Sequence, residues 1–347
     1  MGADGNGMKT ITLERPGTFA FSDTAAPDAL RPGEALVRVR RVGVCGTDFH
    51  AYRGKQPFFT FPRILGHELG VEVVEVNDPS STLKPGDRCC IEPYLNCGKC
   101  VACRRGRTNC CTTLKCLGVH TDGGMREIIR IPTRKLHKSE TLTLDQLALV
   151  ETLGIGAHAV NRAKLEAGET VLVIGAGPIG LSVMQFAQLA KVKLIVMDVS
   201  ASRLEFCKKQ CKIDMAIQAG SIDKAFDELK AATNGDLPTA VFDATGNVNS
   251  MMNAFRCTAH SGRLIFVGLV LGDVTFSDPD FHRRELTLLA TRNSTAADFQ
   301  RVIGLIESGE VDTTPWITHR STADAMIGQF DTWLKPESGC IKALVEF

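Results

Sequence analysis

Four cysteines, Cys97, Cys100, Cys103 and Cys111, fall in the spacing C-x2-C-x2-C-x7-C. Four soft thiolates this close together in a loop suit a tetrahedral zinc ion. A closed set of four leaves no open coordination position, so the predicted zinc is structural. Cys110 sits beside Cys111, which leaves the fourth ligand open between them. An iron–sulfur cluster is the alternative; the x7 return and the absence of a following proline argue against it. The chemistry must then come from elsewhere. Cys45 offers a thiolate, His67 an imidazole, and Glu68 and Glu151 carboxylates. Singly, such residues more often pack or face solvent than bind metal. Their company with a dinucleotide motif and a separate zinc lobe makes them candidates.

That motif is Gly175, Gly177 and Gly180, a GxGxxG run. It follows an apolar strand (Val171–Ile174) and opens an apolar helix, with Pro178 and Ile179 in the first turn. Glycines there allow a tight turn and close approach to a pyrophosphate, while the helix N-terminus supplies free N–H groups. Asp198 ends the next strand, 18 positions after Gly180. Its carboxylate suits both ribose hydroxyls of NAD and repels the extra phosphate of NADP. Arg203 would cover the adenine edge or, in the alternative, bind that phosphate. A flavin or another nucleotide on the same turn is the competing reading.

These residues need elements to hold them. Residues 9–40 and 69–76 alternate apolar and polar in short runs and read as strands. KPGD (84–87) marks a turn before another short strand, and residues 96–116 carry no hydrophobic period at all. From residue 144 the character changes. LDQLALVETLGIGAHAVNRAKL reads as helix in two segments, followed by strand, Gly-rich turn, helix and strand. Helices around 201–211, 221–232 and 249–258 then alternate with strands at 239–246, 263–269 and 286–290. This predicts an α/β protein with a doubly wound parallel sheet. A helix over 296–309 and a strand over 339–347 end the chain. The expected division is 1–150 (mostly β, with the lobe at 96–116), 151–292 (dinucleotide domain) and 293–347, the last completing the first.

Composition narrows the function. The chain has 347 residues and a formal net charge of +1, so no global field draws nucleic acid or an anionic membrane. Arg104, Arg105 and Arg107 form the densest basic cluster, which reads as a solvated loop. The polar N-terminus lacks the apolar stretch of a signal peptide, and no apolar run is long enough to span a bilayer. A cytoplasmic location is therefore expected, with residues 1–7 disordered. Thirteen cysteines is an odd number, which rules out complete internal pairing, and clustered cysteines in a reducing compartment more often bind metal. Cys207 and Cys211 read as packed thiols on a helix. A non-catalytic, nucleic-acid-binding or structural zinc protein is the competing class, and only the four-cysteine lobe favours it.

GVCGTDFH, GHE, GDRCCIEP, CGKCVACRRGRTNCC, LVETLGIGAHAV and GAGPIG together resemble the zinc-dependent medium-chain dehydrogenase/reductase family. The resemblance covers nearly all of residues 9–347. It implies a GroES-like β domain built from both ends of the chain, a Rossmann domain between them, and assembly as a dimer or tetramer. It makes Cys45 and His67 ligands of a catalytic zinc, with Glu68 ligating it or swinging behind it. Alcohol dehydrogenases of the family have a second cysteine where this chain has ETLGIGAHA, which is similar to the EPLAIGAHA of sorbitol- and polyol-type members. By that resemblance Glu151 is the third ligand, directly or through water. Sorbitol dehydrogenases often lack the four lobe cysteines, so the chain sits beside them. The family mechanism passes hydride from a zinc-bound alkoxide to NAD and exports the proton through Thr47 and His50, with Asp48 fixing the ligand imidazole. Tyr52, Arg292 and Asn293 are expected at the substrate. RGKQPFFTFPRILGHE and SDPDFHRRELTLLATRN look similar to bacterial sugar-acid 5-dehydrogenases of the L-galactonate and L-gulonate kind. The expected substrate is a secondary alcohol of a polyol or sugar acid; a general alcohol or L-threonine dehydrogenase is the alternative.

Overall fold

The computed structural model describes residues 7–55 and 59–347. The expectation of disorder at the N-terminus falls mainly on residues outside that range, as does part of the RGKQPFFTFPRILGHE segment. By internal contacts the chain divides into two compact units, Met1–Glu151 with Thr295–Phe347, and Thr152–Ser294.

The first unit is organised around one long strand, Glu34–Val44. Its first half buries every second residue (Ala35, Val37, Val39), the signature of a strand with one wet face. Its last three residues, Val42 to Val44, are buried in succession, as expected where both faces are covered. The strand is the hub of a seven-stranded sheet. Glu68–Asn77 pairs along one side; Lys342–Glu346 and Ile128–Pro132 share the other. Arg88–Ile91 and Leu136–Lys138 extend the sheet beyond Glu68–Asn77, and Ile317–Thr322 lies parallel to Lys342–Glu346 at the opposite edge. The helix Ala323–Trp333 seals this core with Met326, Phe330 and Trp333.

The second unit carries a six-stranded parallel sheet. Numbering its strands along the chain, the order is 3-2-1-4-5-6: Met215–Gln218, Lys193–Asp198, Thr170–Ile174, Ala240–Asp243, Arg263–Phe266 and Thr287–Ala290. This is the doubly wound dinucleotide-binding order, with its switch point after the first strand. Ile174 at the end of that strand leads into the Gly-rich turn. The first strand is buried on both faces, so it reads as a continuous apolar run.

Two local readings need correction. Residues expected to form two helical segments form one helix, Leu144–Ala163. Apolar side chains are buried around much of its circumference (Leu147, Ala148, Leu149, Val150, Leu153, Ala157), so surrounding contacts carry it across Gly154 and Gly156. Ser182 Oγ also donates to Leu153 O and accepts from Gly156 N, satisfying backbone groups at that point. The strand Met215–Gln218 and the helix Ala323–Trp333 are additional to the elements expected. Among the described residues no helix is long and apolar enough to cross a membrane.

Candidate active site and metal centres

Cys45 directly follows the central strand and caps the short helix Gly46–Tyr52. Its N–H donates to Asp48 Oδ2 at 2.9 Å, closing a capping box that fixes the Cys45 backbone. One strand over, Glu68 stands opposite Gly43, and His67 immediately precedes it. The pairing register thus draws a thiol, an imidazole and a carboxylate from two segments into one place. Cys45, His67 and Glu68 each offer a ligand atom, and all three atoms lie within 4.8 Å of one another. Gly43 makes this possible. A Cβ there would stand 2.2 Å from Glu68 Oε2, so only glycine lets the carboxylate lie against the strand.

Glu68 is fully buried, and both its oxygens accept from Lys342 Nζ at 2.7 Å. Lys342 comes from the final strand, is 1% exposed, and also donates to Val44 O at 3.3 Å. Burial pulls its ammonium down, but Glu68 and Cys45 hold it above the ordinary lysine value. Glu151, on the helix Leu144–Ala163, is buried and lies outside the 4.8 Å set. Its Oε1 accepts from the Tyr94 hydroxyl. Burial raises its carboxyl, partly opposed by the charge of His67.

His67 Nδ1 faces Asp48 Oδ1 at 3.8 Å, too far for a hydrogen bond, and neither atom has a hydrogen-bond partner. Burial alone lowers the imidazole, yet Asp48 and Cys45 outweigh it and hold His67 well above the usual histidine value. Two orphaned buried polar atoms beside a thiol and two carboxylates are what a cation site looks like without its cation. Sulfur, nitrogen and oxygen donors of this kind suit zinc.

The second donor set lies in the loop after Tyr94–Leu95. Cys97, Cys100, Cys103 and Cys111 bring their sulfurs within 4.8 Å of one another, whereas Cys110 is exposed; Cys111 is therefore the fourth member. Backbone N–H groups aim at the sulfurs: Cys97 N at Cys111, Cys100 N at Cys97 and Cys103 N at Cys100. Such donors favour thiolates. The N–H groups of Cys103 and Thr112 pull Cys100 down to about 5. Nearby, buried Lys135 pairs with Glu92, which also faces His137 Nε2 at 3.4 Å.

In the second unit the Gly-rich turn has the shape a pyrophosphate requires. Gly175 has φ +100°, and a Cβ on Gly180 would meet Gly175 O at 1.7 Å. Gly177 caps the helix Pro178–Leu189, with Pro178 and the half-buried Ile179 in its first turn. Asp198 Oδ2 accepts from Ala176 N at 2.6 Å and Oδ1 from Ser200 N at 2.7 Å. These bonds lock the carboxylate at the end of the second strand, and each oxygen keeps capacity for a further donor. Arg203 reaches back over the turn, Nη1 lying 3.7 Å from where a Gly177 Cβ would be.

The remaining candidates divide. Thr47 lies in the first turn of the Gly46–Tyr52 helix, and His50 lies exposed in its last. Burial of its ring, then Arg53 and Lys55, hold His50 below the ordinary histidine value. Tyr52 is not brought to the donor cluster. Its hydroxyl donates to Asp331 and its ring stacks on Phe19 and packs against Phe330, so it is a packing residue for the C-terminal helix. Arg292 is exposed and Asn293 half-buried beyond the last strand of the second unit. Lys342 and Tyr94 were not among the sequence candidates. Lys342 leaves a trace, a lone charge inside the apolar strand IKALV; Tyr94 leaves none.

Residues 31–141 match the alcohol dehydrogenase GroES-like domain, and residues 178–308 match the zinc-binding dehydrogenase domain. The chain belongs to the zinc-binding dehydrogenase family, and it is an oxidoreductase acting on alcohols. It is 37% identical over 342 residues to L-galactonate-5-dehydrogenase of Escherichia coli K12, covering 98% of this chain and 99% of that protein. It is 32% identical to L-arabinitol 4-dehydrogenase of Hypocrea jecorina, over 91% of this chain and 86% of that one. Among solved structures, an alcohol dehydrogenase from E. coli CFT073 in complex with NADH superposes with a TM-score of 0.90 at 29% identity, over 99% of this chain and 100% of the other.

Proposed function

We propose that this dehydrogenase oxidises a secondary alcohol of a polyol or sugar acid, with zinc in each of the two donor sets and NAD as hydride acceptor. The observation that carries this reading is the carboxylate-rich donor set. Cys45 and His67 are accompanied by Glu68 and Glu151, and among the described residues no second cysteine joins the 4.8 Å set, although Cys116 feels the charges of His67, Glu151 and Cys45. Oxygen donors make a harder, more hydrated metal site than a pair of thiolates, which suits a polyhydroxylated substrate. Likeness to L-galactonate-5-dehydrogenase along nearly the whole chain supports the sugar-acid branch.

Cys45, His67 and the glutamates would hold a zinc ion, which would act as a Lewis acid toward the substrate hydroxyl. The chain's own residues do the rest. Thr47 relays the hydroxyl proton, accepting it at Oγ1 as its own hydroxyl proton moves on, and the His50 ring, whose pKa is held low, accepts a proton from this relay and releases it to solvent. Asp48 faces the His67 ring at 3.8 Å and acts on it through its charge. Gly175, Gly177, Pro178, Ile179 and Gly180 hold the pyrophosphate on the helix N-terminus. Asp198 binds the ribose and Arg203 covers the adenine side. Arg292 and Asn293 are assigned to the substrate, where a guanidinium suits a carboxylate. The structural zinc belongs to Cys97, Cys100, Cys103 and Cys111. The protein works in the cytoplasm as a homo-oligomer, with no nucleic-acid or membrane partner.

The deciding experiment is turnover on a panel of aldonates, polyols, ethanol and threonine, with NAD and NADP, read at the nicotinamide absorbance. Turnover of aldonates or polyols with NAD is expected. Activity confined to ethanol or threonine would overturn the substrate assignment.

A further inference from the structure

The two buried carboxylates near Cys45 are treated differently. Glu68 is paired with a cation, Lys342, through both oxygens. Glu151 meets a neutral donor, the Tyr94 hydroxyl, through Oε1. A phenol satisfies one carboxylate oxygen without cancelling the charge, whereas an ammonium cancels it. Glu151 is thereby oriented through Oε1, with Oε2 as the oxygen through which it would serve a metal.

Tyr94 is well fixed for that task. It is 2% exposed, and its ring meets Phe299 edge-on at 6.3 Å between centroids. Its two-residue strand, Tyr94–Leu95, pairs with Lys115–Cys116, and Leu117 N donates to Pro93 O at 2.9 Å. Two residues beyond that strand stands Cys97, the first cysteine of the lobe. So short a strand has little stability of its own. Its pairing with Lys115–Cys116, next to the four-cysteine lobe, holds it in place.

From this arrangement we infer that Tyr94 is a positioning residue for the catalytic metal site: its hydroxyl orients Glu151, and the four-cysteine lobe anchors Tyr94. The inference rests on the reading that Glu151 serves the catalytic zinc. Hydrogen-bond partners of metal-ligating carboxylates are worth about 10- to 100-fold in metal affinity.

The test measures catalytic-zinc affinity of the full-length protein by competition with a chromogenic chelator. Tyr94→Phe, Glu151→Gln, the double variant and Phe299→Leu are compared with the native chain. Tyr94→Phe removes only the hydroxyl and is expected to weaken zinc about 10- to 100-fold. The double variant should be no weaker than Glu151→Gln alone, because the hydroxyl acts through that carboxylate. Phe299→Leu loosens the packing but keeps the donor; it should lower thermal stability and leave zinc affinity within about twofold. With cobalt in the catalytic site, Tyr94→Phe should alter the ligand-field spectrum and Phe299→Leu should not. If Glu151→Gln leaves zinc affinity unchanged, the metal reading of Glu151 fails. If Glu151→Gln weakens zinc but Tyr94→Phe matches the native chain, that reading stands and the role of Tyr94 is overturned. Equal weakening by Phe299→Leu would reduce Tyr94 to a packing residue and also overturn it.

Discussion

Replacing Lys342 by methionine isolates the energetics of the metal site. Methionine is close to lysine in length and apolar, so it fills the same space in the strand. What it removes is the cationic partner of Glu68, an ammonium 2.7 Å from both oxygens, in a place where lysine is 1% and glutamate 0% exposed. Breaking a buried ion pair by deleting one member costs about 3–5 kcal/mol, because the surviving charge is stranded. For a domain of 150–250 residues, each kcal/mol moves the midpoint by about 2–4 °C. The metal-free variant should therefore melt about 6–20 °C below metal-free native protein. Zinc supplies the countercharge that lysine supplied, so the gap should shrink in the zinc-loaded protein. Lys342→Met/Glu68→Gln, which removes both charges, should recover most of the loss. The assay is differential scanning calorimetry on the three chains with zinc and after chelation. An apo midpoint within a degree or two of native would refute the reasoning, and so would a deficit of equal size with and without zinc.

Two further outcomes follow from the same geometry. Asp198→Asn keeps one acceptor oxygen for the backbone N–H groups but removes the charge that repels a 2′-phosphate. The preference for NAD over NADP in kcat/KM should fall by about tenfold or more, the worth of one charged hydrogen bond; an unchanged ratio would take Asp198 out of cofactor discrimination. His50 sits below the ordinary histidine value through burial, then Arg53 and Lys55. A proton acceptor must be neutral, so activity should persist below pH 6.5 and fail only as pH drops through the lowered value. Lys55→Gln removes one positive neighbour and should move that acid limb of the pH profile upward; a limb that stays put, or moves down, rejects His50 as the exit for the proton.

What could be read from the sequence was local. The lobe cysteines lie within 15 residues of one another, and the GxGxxG turn with its flanking strand and helix is a single contiguous unit. What could not be read was set by pairing between distant strands. Lys342 reaches Glu68 across 274 positions, and only the register of three strands brings them together. Tyr94 and Glu151 are 57 apart, joined by a strand of two residues that no periodicity marks. The strand Met215–Gln218 is also short, at four residues, and only partly buried, so its pattern is weak. The helix Ala323–Trp333 is different. Ala323, Met326, Phe330 and Trp333 carry a helical stripe, a legible signal that the division into mostly-β and α/β parts passes over. Tyr52 shows packing that the sequence does not signal. Nearness in sequence to Cys45 suggests a substrate role, while the Gly46–Tyr52 helix turns its ring toward Phe19 and Phe330.

The place of the last strand has a consequence for the making of the protein. The second unit is one uninterrupted stretch, Thr152–Ser294, and can fold as it leaves the ribosome. The first unit cannot close then. Its sheet has Lys342–Glu346 between Ile317–Thr322 and the hub strand, and that segment is made long after the hub it pairs with. Throughout synthesis the free edge of Glu34–Val44 waits beside Glu68, a buried carboxylate whose lysine has not yet been translated. The part of the chain made first is thus completed late, because the edge at Arg41–Val44 stays open until a strand that lies 298 positions beyond Val44 has been made.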